Sequence, residues 1–213
     1  MDCCQCQGIE ELFSQEYVNK ELGRYRAKGP IRTTRMLIEA IKKEKVDGLT
    51  LLDIGGGVGA VHQELLKAGA RSATDVDASS AYLAAARSEA QQRGSAERVN
   101  YQHGNFVELA ANIAPADIVT LDRVICCFDN MEELVGLSAQ RAQKLYGLVY
   151  PRDTWWVKLG IKVENFTHWL SGNPFRAFVH PSRAVEEIVE KNGLKRRSHS
   201  QTLAWQVVVY SRE

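Results

Sequence analysis

The chain has 213 residues, 45% hydrophobic and 25% charged, with 27 Lys and Arg against 26 Asp and Glu for a net charge of +1. That length suits one well-buried domain and leaves little room for a second. The balanced total argues against a nucleic-acid or anionic-membrane partner, because those partners usually leave a marked basic excess.

No run of about 18 apolar residues occurs, so no transmembrane span is expected. The N-terminal "MDCCQCQGIEELF" lacks the basic-then-apolar order of a signal peptide. The five cysteines are Cys3, Cys4, Cys6, Cys126 and Cys127. An odd number in adjacent pairs makes a poor disulfide framework, so a cytoplasmic protein with reduced thiols is expected.

In chain order, residues 9–22 and 31–46 read as amphipathic helices, broken by "AKGP" at 27–30. Strand and helix patterns then alternate. Strands are expected at 49–54, 72–76, 99–102, 116–122 and 145–150, and helices at 58–68, 79–93 and about 131–143. This alternation predicts βαβ units and a parallel sheet with helices on both faces. A helix over 153–171 carries Trp155, Trp156, Phe166 and Trp169. "HPSRAVEEIVEKNG" reads as a helix closed by Gly193. The runs 194–200 and 203–211 are too close for a crossover helix and should form an antiparallel hairpin.

The most informative stretch is "LTLLDIGGGVGAVHQELL" (49–66). Glycines between a strand and a helix permit a tight turn and let a ligand reach the backbone. The helix behind them offers free N–H groups and a positive dipole end. Two cofactors compete for such a loop, and a plain structural turn is the bland reading. Gly55, Gly57 and Ala60 satisfy the dinucleotide pattern G-x-G-x-x-G/A. Asp53, Gly55, Gly57 and Gly59 equally satisfy D-x-G-x-G-x-G, which resembles motif I of the class I S-adenosylmethionine-dependent methyltransferases.

Three further segments support that resemblance. Asp77 in "VDAS" ends the next strand, where an acid suits a ribose 2′,3′-diol; Asp75, on the same strand face, is its rival. "HGNF" puts Gly104, Asn105 and Phe106 where the family shows G-D-F, with Asn105 replacing the Asp that accepts from the adenine amine. "PADIVTLDRVICCF" resembles motif IV, so Asp122 and Arg123 would face the methionine end of the cofactor and the substrate.

The resemblance covers most of 49–211. It implies a Rossmann-like, seven-stranded, mostly parallel sheet with a C-terminal antiparallel hairpin. It also implies S-adenosyl-L-methionine as methyl-donor co-substrate, bound by Asp53, Gly55, Gly57, Gly59, Asp77, Asn105, Phe106 and Asp122. Methyl transfer is an in-line displacement in which positioning matters most. An obligatory base is therefore not required, and Asp122, Arg123 and Cys126 are the catalytic candidates. No metal is expected. The single domain divides into an N-terminal helical cap (1–46), a cofactor core (47–150), a helical lid insertion (151–180) and a C-terminal helix and hairpin (181–213).

A weaker similarity is to the magnesium-protoporphyrin O-methyltransferases, which share the N-terminal helices, the insertion and an ending like Gly193, Trp205, Tyr210 and Arg212. Cys126 and Cys127 depart from that family, in which a histidine and an aromatic follow motif IV. The expected acceptor is a small molecule, a bulky apolar or macrocyclic carboxylate. The alternatives are an NAD(P)-dependent oxidoreductase, although no Tyr-x-x-x-Lys pair is present, and a non-catalytic cofactor-binding module.

The Trp-rich insertion reads as a pocket wall, as plain packing on the sheet, or as a weak membrane-surface contact. Converging cysteines would make a thiol site for a soft metal, against the simpler reading of buried apolar thiols. Lys28, Arg32 or Thr33 is placed near the methionine carboxylate. His62 and His103 are read as surface or supporting residues, His180 as a residue at the pocket mouth, and "KRRS" (195–198) as a charged edge strand.

Overall fold

The computed structural model describes residues 4–213, with side chains from residue 8. Strands β1 (Thr50–Ile54), β2 (Ser72–Asp77), β3 (Val99–His103), β4 (Ala116–Asp122), β5 (Ala142–Pro151), β6 (Leu194–Gln201) and β7 (Trp205–Arg212) form one sheet in the order β3-β2-β1-β4-β5-β7-β6. The first five are parallel, and β7 runs antiparallel to both β5 and β6. The expected hairpin is present. Its second strand, "WQVVVYSR", takes the interior position, while "LKRRSHSQ" forms the edge. Burial decides this: a run of three valines belongs between strands, and Lys and Arg protect an open edge.

Helices α3 (Arg32–Lys42) and α4 (Ala60–Lys67) cover one face through Leu37, Ile41, Val61 and Leu65. Helices α7 (Met131–Arg141) and α9 (Ser182–Lys191), with the short α6 (Phe106–Leu109), cover the other through Phe106, Leu134, Val135 and Val185. Helix α5 (Ser80–Gln92) follows β2, and α8 (Trp155–Leu170) follows β5.

The single helix expected over 9–22 is two: α1 (Cys4–Leu12) and α2 (Gln15–Lys28). Ser14 breaks it, because its hydroxyl accepts from Tyr17 N–H and caps α2. Helix α4 starts at Ala60 rather than 58, since Gly59 has φ 84° and stands as its N-cap. Helix α2 is held to α5 by Val18, Leu22 and Tyr25 against Tyr82 and Ala85. Buried Glu89 adds bonds from Arg26 Nε (2.7 Å) and Arg93 Nε (2.5 Å). Thus α1 and α2 arch over the carboxyl ends of the parallel strands.

Candidate functional site

The glycine loop is shaped by what lies around it. Gly55 and Gly57 have φ of 65° and 58°, a region that disfavours side chains. A Cβ on Gly55 would stand 2.4 Å from Val124 Cγ2. Beneath the loop, Asp53 is fully buried and accepts from Thr120 Oγ1 at 2.7 Å, with His62 Nδ1 at 3.1 Å. His62 is therefore interior, where it supports Asp53 rather than facing solvent. Gly59 makes room for it: a Cβ there would lie 2.6 Å from His62 Nε2.

Two acids on β2 divide the work. Asp75 is completely buried under Gly56; that burial, with the charges of Asp53 and Asp77 nearby, pushes its carboxyl well above the usual range. Asp77 reaches the cavity. Its Oδ2 accepts from Gly57 N–H (3.0 Å) and its Oδ1 from Ser79 N–H (2.8 Å). Burial pushes it up to about 6, against the pull of those two amides.

At the end of β4, Asp122 Oδ2 accepts from Thr34 Oγ1, while Oδ1 is buried without a hydrogen bond. Burial raises its carboxyl. Arg123 is the one non-glycine residue with positive φ (63°) among the described residues. Such strain persists only where the surroundings enforce it, commonly at functional sites. Its guanidinium lies 3.5 Å from Glu21, whose other oxygen accepts from Tyr82 Oη at 2.5 Å.

These groups line one cavity with about 1260 Å³ of empty space, open mouth included. Asp53, Gly55, Gly57, Asp77, Asp122 and Arg123 lie along it, as do Asn105 and Phe106. Asn105 caps α6, its Oδ1 accepting from Val107 N–H at 3.0 Å, which uses one of two lone pairs. Two expected residues stand elsewhere. Gly59 serves His62 instead of the cavity, and Gly56 lines the cavity in its place. Cys126 is buried with its Sγ toward Arg123 O, and Cys127 lines the cavity. Contact with Cys127 and burial raise the Cys126 thiol.

Lys28 and Arg32 are exposed and away from the cavity, whereas Thr34, Arg24 and Ile31 line it. No wall comes from α8; Ile9, Phe13 and Tyr17 provide it instead. The sequence reading missed Glu21, Arg24, Thr34 and Tyr82. The signal for Glu21 was present, since Val18, Leu22 and Tyr25 place it beside the buried face of α2. His180 sits at the loop after β4, its Nε2 near Ile125 O and Phe128 O. His103 is half-exposed beside Glu10. Cys3 and the side chains of Cys4 and Cys6 lie outside the described residues. Among the described residues, no cluster of His, Cys, Asp or Glu is arranged to hold a metal ion.

Residues 52–144 match the family described as methyltransferase domain. The match spans 93 of the chain's 213 residues. Magnesium protoporphyrin IX methyltransferase from Synechocystis PCC 6803, solved with bound S-adenosylhomocysteine, is similar in structure. The TM-score is 0.75 at 18% identity, over 98% of this chain and 100% of that one. The same enzyme with bound S-adenosylmethionine gives 0.69 at 15% identity, over 98% and 97%. An O-methyltransferase family protein from Burkholderia thailandensis gives 0.66 at 19% identity, over 94% and 63%. A sequence comparison with the curated proteins finds no match.

This fold is shared with an enzyme solved with S-adenosylmethionine, a methyl donor. The residues present fit that donor. The loop at Gly55 leaves no room for a Cβ, and Asp122, which lines the same cavity, keeps a buried carboxylate oxygen without a hydrogen bond, 3.6 Å from Arg123 Nε. No helix among the described residues is long and apolar enough to cross a membrane.

Proposed function

We propose that the protein O-methylates a carboxylate on a bulky, mainly apolar small molecule, of the macrocyclic or polycyclic kind. The observation that supports this reading is the wall of the cavity. Away from the glycine loop it is mainly apolar, with Ile9, Phe13, Ile31, Val124, Phe128 and Leu134, and two guanidiniums, Arg24 and Arg123, stand among these side chains, with Glu21 beside Arg123. A flat hydrophobic body with one carboxylate matches that distribution, since guanidinium binds carboxylate in a forked geometry.

The donor supplies a sulfonium-bound methyl group. Asp77 accepts from the ribose diol and Asp122 from the methionine ammonium, while Asn105 and Phe106 take the adenine edge and face. Arg123, held by its backbone and by Glu21, orients the acceptor carboxylate. A carboxylate is already a nucleophile at neutral pH, so no side chain has to remove a proton. The chain's contribution is alignment and exclusion of water by α1 and α2.

The test is transfer of labelled methyl from S-adenosylmethionine to a panel of porphyrin and polycyclic carboxylic acids, followed by mild alkali. A carboxyl methyl ester releases its label as methanol. Label that survives alkali, on a phenol or amine acceptor, would refute the carboxylate assignment while leaving methyl transfer intact.

A further inference from the structure

Helix α8 is turned inside out. Of its 16 residues only Val157 is buried. Trp155, Leu159, Val163, Phe166, Trp169 and Leu170 are 55–72% exposed. At 100° per residue these six fall on one arc, directed away from the body of the protein. The body side is marked by buried Val157, and the helix is tied down at the margin of the stripe, where Asn165 Nδ2 donates to Ala177 O and its Oδ1 accepts from Ala177 N–H, both at 2.8 Å. The aromatic rings of the stripe touch each other, with Phe166 and Trp169 stacked at 5.8 Å.

Contiguous exposed apolar surface marks a binding face. We infer that α8 lies in the interface of an anionic phospholipid surface and holds the enzyme there. Shape, composition and charge favour that occupant. The stripe is a convex ridge rather than a groove. Outside α8, the only large exposed apolar side chains among the described residues are Tyr17 and Leu203, so a second copy has only its own α8 ridge to lay against the stripe. Indole rings with flanking lysines suit the headgroup boundary. Lys158 lies on one margin of the stripe and Lys162 just inside it, and Glu164, the helix's single acid, lies on the far arc.

The balanced total charge conceals an asymmetry. Residues 152–213 hold ten Lys and Arg against six Asp and Glu, a net +4, so the remaining 17 and 20 leave residues 1–151 at −3. On α8 and its flanks Arg152, Lys158 and Lys162 stand against Asp153 and Glu164, with Lys158 2.6 Å from Asp153, and Lys162 is placed within the stripe to meet an anionic headgroup. Arg152 lies 6.0 Å over the Trp156 ring, and its Nη1 donates to Thr202 O and Leu203 O, both at 3.2 Å. This sets exposed Leu203 beside the first turn of α8. Phe175, just beyond the helix, contacts both His168 and the cavity-lining Phe13. The docking face is therefore one ring away from the wall of the cavity.

The experiment is flotation of the full chain with phosphatidylcholine vesicles, with and without phosphatidylglycerol. Trp emission is read in parallel. The protein should float with the anionic vesicles and its emission should shift to the blue. The triple variant Trp155→Ser, Phe166→Ser, Trp169→Ser should lose about tenfold or more in bound fraction, with its S-adenosylhomocysteine thermal shift unchanged. Lys158→Glu with Lys162→Glu should lose binding selectively on the anionic vesicles. Flotation retained by the triple variant, or equal binding to neutral vesicles, overturns the inference. So does a dimer in light scattering that the triple variant dissociates while neither protein floats, because the stripe would then belong to a second copy.

Discussion

His62 Nδ1 lies 3.1 Å from Asp53 Oδ2, with both side chains buried beneath the glycine loop. The pair explains Gly59, whose absent Cβ leaves space for the ring. Gly59→Ala adds left-handed strain and a clash, and should cost about 2–4 kcal/mol. His62→Ala removes a bond to Asp53 and leaves a void, for about 2–4 kcal/mol. Combined, they should cost less than the sum, because the clash disappears with the ring. Urea unfolding of the four proteins measures this, and strict additivity would show that the two positions do not communicate.

Asp77 ties cofactor binding to pH. Its folded value near 6 lies above the ordinary 3.8. The folded protein therefore keeps a proton that the unfolded chain releases, and this group's contribution to stability falls as pH rises through that interval. A diol donates to the ionised carboxylate, so S-adenosylhomocysteine affinity should rise over the same interval. Asp77→Asn should weaken binding by about 10- to 100-fold and flatten the pH dependence. Titration calorimetry from acid to neutral pH decides; a wild-type affinity independent of pH would remove Asp77 from the diol.

In the proposed reaction Arg123 would carry function against local stability. A non-glycine residue at φ 63° costs about 1–2 kcal/mol. Arg123→Gly relieves that cost and loses the contacts with Glu21 and Asp122, so its thermal midpoint should stay close to wild type. Turnover of a carboxylate acceptor should fall by about 100-fold. Arg123→Lys keeps the charge without the fork and should fall less, by about tenfold. Full activity in Arg123→Gly would assign the acceptor to other residues.

Glu89 governs how firmly α2 sits on α5. Burial alone would raise its carboxyl, but the bonds from Arg26 and Arg93 outweigh it and hold the group below its usual value. Its contribution is complete above the unfolded value and disappears as pH falls through the folded one. Glu89→Gln should cost about 2 kcal/mol at neutral pH, and the gap to wild type should close in acid. Melting curves across that range test it. An equal deficit at every pH would mean that shape, not charge, holds the helix.

Strand and helix identity, the glycine loop, Asp77 and the motif at Asp122–Arg123 were legible in the chain because each is written locally, in period, in turn chemistry or in a short spacing. The order of the last two strands was legible only in part. The hairpin follows from the short connection, whereas its insertion beside β5 depends on which strand buries more apolar surface against a sheet that the sequence does not display.

The misplaced residues share one cause. Gly59 and Cys126 lie in the right segments, but which backbone group faces the cavity depends on turns of a few residues, set by contacts with His62 and Arg123 from elsewhere. Glu21, Arg24 and Thr34 reach the site because α2 and α3 arch across the strand ends, a juxtaposition of segments up to 88 residues apart. The direction of α8 was equally hidden. Its composition announces an apolar face, and only tertiary structure shows that face turned to the outside, since Val157 is the side chain buried against the body. The sequence alone determined the elements and the glycine loop; long-range contacts decided which side chains share the cavity and which apolar surface stays exposed.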